Sequence, residues 1–159
     1  GFWGVAGGTG SAADVKLWTE IWGWAIFIGA AVGHGCRAQR SCGDGTRVRI
    51  GVDPARNGGF FAAYNAGWSD IKDGATGIVN FDFGDALFAG DVVGRISQNL
   101  PGGYAFFDNP NFVTEFGKRQ SVKVSGEAGR LVEIDLTGSM RAIEAVQACQ
   151  KEQPDPASN

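Results

Sequence analysis

The sequence predicts a mainly β domain, an antiparallel β-sandwich or barrel closed by a short C-terminal α-helix. Three observations carry this. Glycine supplies 26 of the 159 residues, well above the ~7% of an average chain, and it falls between short apolar runs, where turns and strand ends need positive φ. Several of those runs alternate with period two, the signature of a half-buried strand. Near the C-terminus alone, Ala142, Ile143, Val146 and Cys149 recur at helical spacing.

Taken in order, residues 1–17 read as an irregular or flexible arm. Within it, Val5-Ala-Gly-Gly-Thr-Gly10 has too little chain before it for the strand that a dinucleotide loop requires. From Trp18 the chain becomes periodic: Trp22, Trp24, Ile26 and Ile28 alternate with Gly23, Ala25 and Phe27, which predicts one strand. Cys36–Ser41 predicts a second, and Cys42–Thr46 a tight turn signalled by Asp44-Gly45. Val48, Ile50 and Val52 then alternate with Arg47, Arg49 and Gly51, placing the two arginines on a solvated outer face. A turn over Pro54–Gly59 leads into the apolar run Phe60–Tyr64. Asn65–Trp68 breaks the ladder, and Asp70–Gly74 turns the chain again.

Val79, Phe81 and Phe83 mark an inward face, followed by strands at Asp91–Ser97 and Gly103–Phe107. A short helix near 110–118 is predicted by Asp108 or Asn109 as cap, Pro110 in the first turn, and Phe112, Val113 and Phe116 at helical spacing. Ser121–Val124 and Arg130–Leu136 form a hairpin around Gly126–Gly129. Ser139 is the expected N-cap of a closing helix that reaches Gln150. Residues 18–150 thus read as one domain, and 151–159, with two prolines, as a disordered tail.

Composition narrows the function. The chain carries a net charge of −3 and a pI near 5.1. Its densest basic stretch, Arg37, Arg40, Arg47 and Arg49, is interrupted by Asp44. Phosphate-backbone binding needs denser cation, so nucleic acid is not an expected partner. The most apolar stretch, Ile21–Val32, is shorter than the ~20 residues that span a bilayer, so an integral membrane protein is not expected. The chain starts at Gly1 without a basic leader, as a processed, mature protein or a trimmed chain would.

Three cysteines, Cys36, Cys42 and Cys149, contain no CxxC and share one histidine, a poor set for zinc; no metal or cofactor is expected. Cys36–Cys149 would close a long loop, worth up to ~4–5 kcal/mol in the chain-entropy model. Cys36–Cys42 would close little chain. Three reduced, buried thiols in a cytosolic protein are the third reading.

Candidate chemistry is sparse. His34 stands two residues from Cys36, but strand spacing lacks the geometry of a thiol–imidazole dyad. Asp70, Asp73, Asp82, Asp85 and Asp91 are a carboxylate-rich set, yet their spacing matches no EF-hand loop. Asp82-Phe-Gly84 resembles a kinase metal-binding triplet without the rest of that machinery. No Gly-x-Ser-x-Gly occurs, and no catalytic residue is assigned. The aromatics are the best pointer to binding: Phe60, Phe61, Tyr64 and Trp68 read as a groove for a peptide, glycan or lipid, with core filling the competing reading.

Cys36, the Asp44-Gly-Thr46 turn running to Ile50, the Asn65…Trp68…Gly74 segment, Phe81-Asp-Phe83, Phe112…Phe116, and Asp135-Leu-Thr-Gly-Ser139 with Ala142 and Cys149 form an ordered set. From about Trp24 to Gln150 this order resembles small exported proteobacterial domains of the invasion-associated locus B type. The resemblance implies a β-sandwich or barrel closed by a helix, with a cysteine near each end in an oxidising compartment. It supplies no catalytic residues. This chain departs from it at Cys42 and in the aromatic lead-in from Phe2 to Trp22.

The expectation is therefore a non-enzymatic periplasmic or secreted binding module, with a Cys36–Cys149 disulfide and a protein or envelope component as partner. Two alternatives stand beside it. One is an accessory subunit of an envelope or membrane-associated assembly, docked through residues 1–35. The other is a hydrolase using the aspartates between Asp82 and Asp91.

Overall fold

The computed structural model describes residues 15–30, 33–127 and 129–154. Most of the predicted arm and the last residues of the predicted tail lie outside these. Among the described residues there are ten strands: β1 Lys16–Ile21, β2 Trp24–Ile28, β3 Cys36–Ser41, β4 Arg47–Asp53, β5 Gly58–Tyr64, β6 Thr76–Asp82, β7 Leu87–Ser97, β8 Leu100–Phe107, β9 Ser121–Gly126 and β10 Leu131–Asp135. All pair antiparallel in a single sheet of order β10-β9-β6-β7-β8-β5-β4-β3-β2-β1. The sheet is open. Among the described residues its outermost strands are β1 and β10, which do not pair with each other, so it does not close into the barrel that the sequence allowed.

It does curl. Phe61 on β5 and Phe81 on β6 are three ladder steps apart, ~14 Å on a flat sheet, yet their ring centroids lie 5.4 Å apart. Arg40 on β3 reaches the edge strand β10 through a 2.9 Å ion pair with Asp135.

Helix α1 (Thr114–Gly117) continues a 3₁₀ turn over Pro110–Val113. Asn109 caps this segment by accepting from the Asn111 N–H at 3.0 Å. Phe116 of α1 is fully buried and meets Phe61, Phe81, Phe83, Phe107 and Phe112. Helix α2 (Ser139–Lys151) lies across β1–β4 and buries Ala142, Ile143, Val146 and Cys149, the stripe read from sequence.

Cys149 is disulfide-bonded to Cys36 with Cα atoms 6.2 Å apart at a sequence separation of 113. Gln150 supports the same junction, its Oε1 accepting the Cys36 N–H at 2.7 Å. Cys42 is a free, half-buried thiol whose pKa is raised by burial.

Two local expectations need correction. The periodic run from Trp18 is a hairpin, because Trp22 (φ 53) and Gly23 (φ 82) form a two-residue turn with both positions left-handed, the type I′ geometry that matches strand twist. Ile21 consequently pairs with Trp24, and Trp22 is exposed at the tip. Ser139 is not the N-cap of α2. Gly138 holds that position at φ 80, with the Trp22 carbonyl 2.7 Å from where a Cβ would stand, so no other residue fits without displacement. The buried Ser139 hydroxyl instead donates to the Phe116 carbonyl at 2.8 Å, tying α2 to α1.

Reducing the Cys36–Cys149 bridge, or replacing Cys149 by Ser, is expected to lower unfolding free energy by about 4 kcal/mol, measured as a fall in the urea midpoint. Cys42→Ser should shift stability by no more than about 1 kcal/mol.

Candidate binding face

Strand alternation sorts the side chains of the central sheet into two faces. One packs on the core through Ile26, Ala38, Val48, Ile50, Phe61 and Ala105. The other carries arginine and aromatic residues in register. Arg37 and Gln39 on β3 stand beside Arg49 on β4, and Phe60 and Tyr64 on β5 beside Tyr104 and Phe106 on β8, with Arg95 on β7. Arg56, from the 3₁₀ turn Pro54–Arg56, leans over the Phe106 ring with its guanidinium carbon 3.9 Å from the centroid.

Arg95 lies 3.9 Å over Tyr104, Arg49 5.2 Å over Tyr64 and Arg37 5.4 Å over Phe27. Arg37, Arg49, Arg56, Arg95, Phe60, Tyr64 and Tyr104 line a groove of about 300 Å³.

The positive charge of this groove is only partly compensated, by Asp53, which also lines it. Among the described residues, Arg37, Arg47, Arg49 and Arg95 form no ion pair with a carboxylate; only Arg56 does, with Asp53 at 2.9 Å. Arg47 donates to Gln98 Oε1 at 2.6 Å, and Arg49 to Gln39 Oε1 at 2.9 Å and Ser97 Oγ at 3.1 Å, all neutral acceptors. The Nε atoms of Arg37 and Arg47 are buried without a partner. Burial, reinforced by the neighbouring Arg49 charge, brings the Arg37 pKa down to about 10. Burial lowers Arg49 as well and raises the Tyr104 phenol, to which Asp53 adds. The expectation that Arg47 and Arg49 line a simply solvated face is thus corrected: they share the outer face but are half-buried.

The structure divides the four predicted aromatic site residues. Phe60 and Tyr64 line the arginine groove. Phe61 points to the core, stacked on Phe116 with centroids 5.1 Å apart. With Trp68 it borders a different, apolar cavity of about 360 Å³ inside the curl. Trp68 lies under the Arg130 guanidinium, which is ion-paired to Asp70. Alternation within the run Phe60–Tyr64 separates Phe60 and Tyr64 from Phe61. The arginines were individually visible in sequence, but their convergence depends on cross-strand register.

The other sequence candidates are placed as follows. Cys36 is in a disulfide, so the His34–Cys36 pair has no thiol; His34 sits in a left-handed turn (φ 50) with Nδ1 3.1 Å from the Gly29 carbonyl. Asp82 accepts the Gly84 N–H at 2.9 Å, and Asp85 is ion-paired to Arg119 at 3.0 Å. Asp91 stands across from Ile78 on the outer face of β6–β7.

No family model matches the chain, and no curated protein matches it. Among solved structures it is similar to the crystal structure of invasion associated protein B from Bartonella henselae. The match has a TM-score of 0.58 and 14% identity, and it covers 84% of this chain and 98% of that one. The two chains share a fold. That likeness to the Bartonella protein agrees with the order of residues from Trp24 to Gln150, and at 14% identity it speaks for architecture alone.

The depressed Arg37 pKa fixes a sign. The folded guanidinium titrates near 10, well below its ordinary value in the unfolded chain, so the penalty for burying the cation is fully present below pH 10 and is relieved as pH rises above it. Arg37→Met is accordingly expected to raise stability at neutral pH by about 1 kcal/mol, measured by urea unfolding at pH 7.

Proposed function

We propose that the protein is a non-enzymatic, exported binding module that recognises an anionic envelope component through the arginine–aromatic groove. The observation that carries this is the set of three groove guanidiniums, Arg37, Arg49 and Arg95, that form no ion pair with a carboxylate among the described residues, two of them, Arg37 and Arg49, half-buried. Burying cations without counter-charge costs stability, and an incoming phosphate or carboxylate supplies that charge through bidentate, charge-assisted hydrogen bonds.

The rings of Phe60, Tyr64 and Tyr104 offer stacking surface beside those charges, which suits a sugar or other ring bearing the acid. The groove is small-ligand sized and set within a chain of net charge −3. A local site is therefore favoured over general polyanion binding.

The Cys36–Cys149 disulfide supports an oxidising compartment, the periplasm or the exterior. The curled sheet with α2 across it supports a sandwich-like reading of the architecture. Among the described residues no helix is long and apolar enough to cross a membrane.

A second reading, docking to a larger assembly through residues 1–35, is favoured by Trp22. It is 65% exposed at the β1–β2 tip and borders a hollow of about 430 Å³ with Trp24 and Arg40.

Titration calorimetry with a phosphorylated disaccharide and its neutral counterpart tests the main reading. The charged sugar is expected to bind and the neutral one not, with affinity falling as salt is added. Arg49→Gln or Arg95→Gln should each weaken binding about tenfold or more. Equal binding of the two sugars, or indifference to both substitutions, would overturn it.

A further inference from the structure

We infer a second ligand site, chemically unlike the first: the apolar cavity beneath Trp68 takes one alkyl chain of an amphiphile, with its anionic head group at Lys72. The cavity opens at one end of the curl, opposite the end filled by Phe116. Its walls are Phe61, Val79, Phe81, Val124, Val132 and Ile134. These residues belong to β5, β6, β9 and β10; the backbone of the first three is paired on both sides and that of β10 on its β9 side.

The walls therefore present apolar side chains, and a ligand's buried part carries no polar atoms without penalty. Protein interiors are packed with few voids larger than a water. A volume of about 360 Å³ lies instead in the ~300–1,000 Å³ range of small-molecule sites, and the mouth of a curved sheet is a usual place for one.

The charges at the mouth define the head group. Arg130 is ion-paired to Asp70 and stacked on Trp68. Glu127 Oε1 accepts the Ile78 N–H at 2.9 Å. Lys72 also lines the opening and forms no ion pair among the described residues. Glu127 forms no ion pair among the described residues either, but its carboxylate is engaged by the Ile78 N–H. Lys72 is thus the charged group left to meet a ligand, and it suits a carboxylate or phosphate whose chain points inward.

Gly126 provides the decisive variant. It lies on the cavity wall, its φ is outside the left-handed range, and a Cβ built there meets nothing within 4 Å. Gly126→Leu fills the chamber without straining the backbone.

Calorimetry with octanoate, decanoate and decanol reads the result, with circular dichroism confirming that each variant is folded. Decanoate is expected to bind more tightly than decanol, and each added methylene to tighten binding about threefold to fourfold. Gly126→Leu should abolish binding of both. Lys72→Gln should remove the preference for decanoate while leaving decanol unchanged.

Phosphatidylglycerol vesicles separate the two sources of such a ligand. Co-sedimentation lost in Gly126→Leu assigns the chain to a membrane lipid; decanoate binding without co-sedimentation assigns it to a free fatty acid. Absence of decanoate binding, loss of chain-length dependence, or unchanged affinity in Gly126→Leu overturns the site. Equal affinity for decanoate and decanol overturns the role of Lys72.

Discussion

Everything in this fold depends on one ring having neighbours on both halves of a single sheet. Phe116 touches Phe61 and Phe107 from the β5–β8 side and Phe81 and Phe83 from the β6 side. A flat ten-stranded sheet could not bring these together. The short helix that carries Phe116 would not form alone, since an isolated turn has little to offset the cost of nucleation. It is fixed by the Asn109 cap before it and by the aromatic cluster around it. In turn its backbone offers the carbonyl that holds Ser139. That contact sets the start of α2, and α2 delivers Cys149 to Cys36.

Because the sheet curls, its two faces have different tasks. The concave side is sealed by phenylalanines at one end and left hollow at the other. The convex side gathers charge that a surface chosen only for stability would have paired or diluted. Half-buried guanidiniums beside neutral acceptors are a local cost in stability.

Much of the architecture was legible in the sequence, for identifiable reasons. The stripe ending on Cys149 and the inward triplet Val79, Phe81 and Phe83 each follow a single period, and both are buried as read. The β1–β2 reversal was hidden because tryptophan is an improbable residue at φ 53, so alternation ran through the turn unbroken. Ser139 looked like a cap because serine usually is one; only the approach of Trp22 reveals why glycine must precede it.

In β5, Ala62, Ala63 and Tyr64 are all buried although they alternate between faces, because on the outer face Arg49 lies over the Tyr64 ring and Ala62 stands between Arg49 and Tyr104. Composition there cannot tell groove from core. The arginine groove joins β3, β4, β7 and β8, elements whose adjacency is a property of strand order and of nothing local.

The spacing of the cysteines sets an order of events during biogenesis. Cys36 and Cys42 leave the ribosome, or any narrow conduit, almost together, while Cys149 follows long after. Short loops close on a nanosecond scale, and the entropic cost of closure grows with loop length. If an oxidant acts before Cys149 arrives, the pairing within its reach is the small ring Cys36–Cys42, and the native bridge then forms by thiol–disulfide exchange, with Cys149 as the attacking sulfur and the Cys42 thiolate as leaving group.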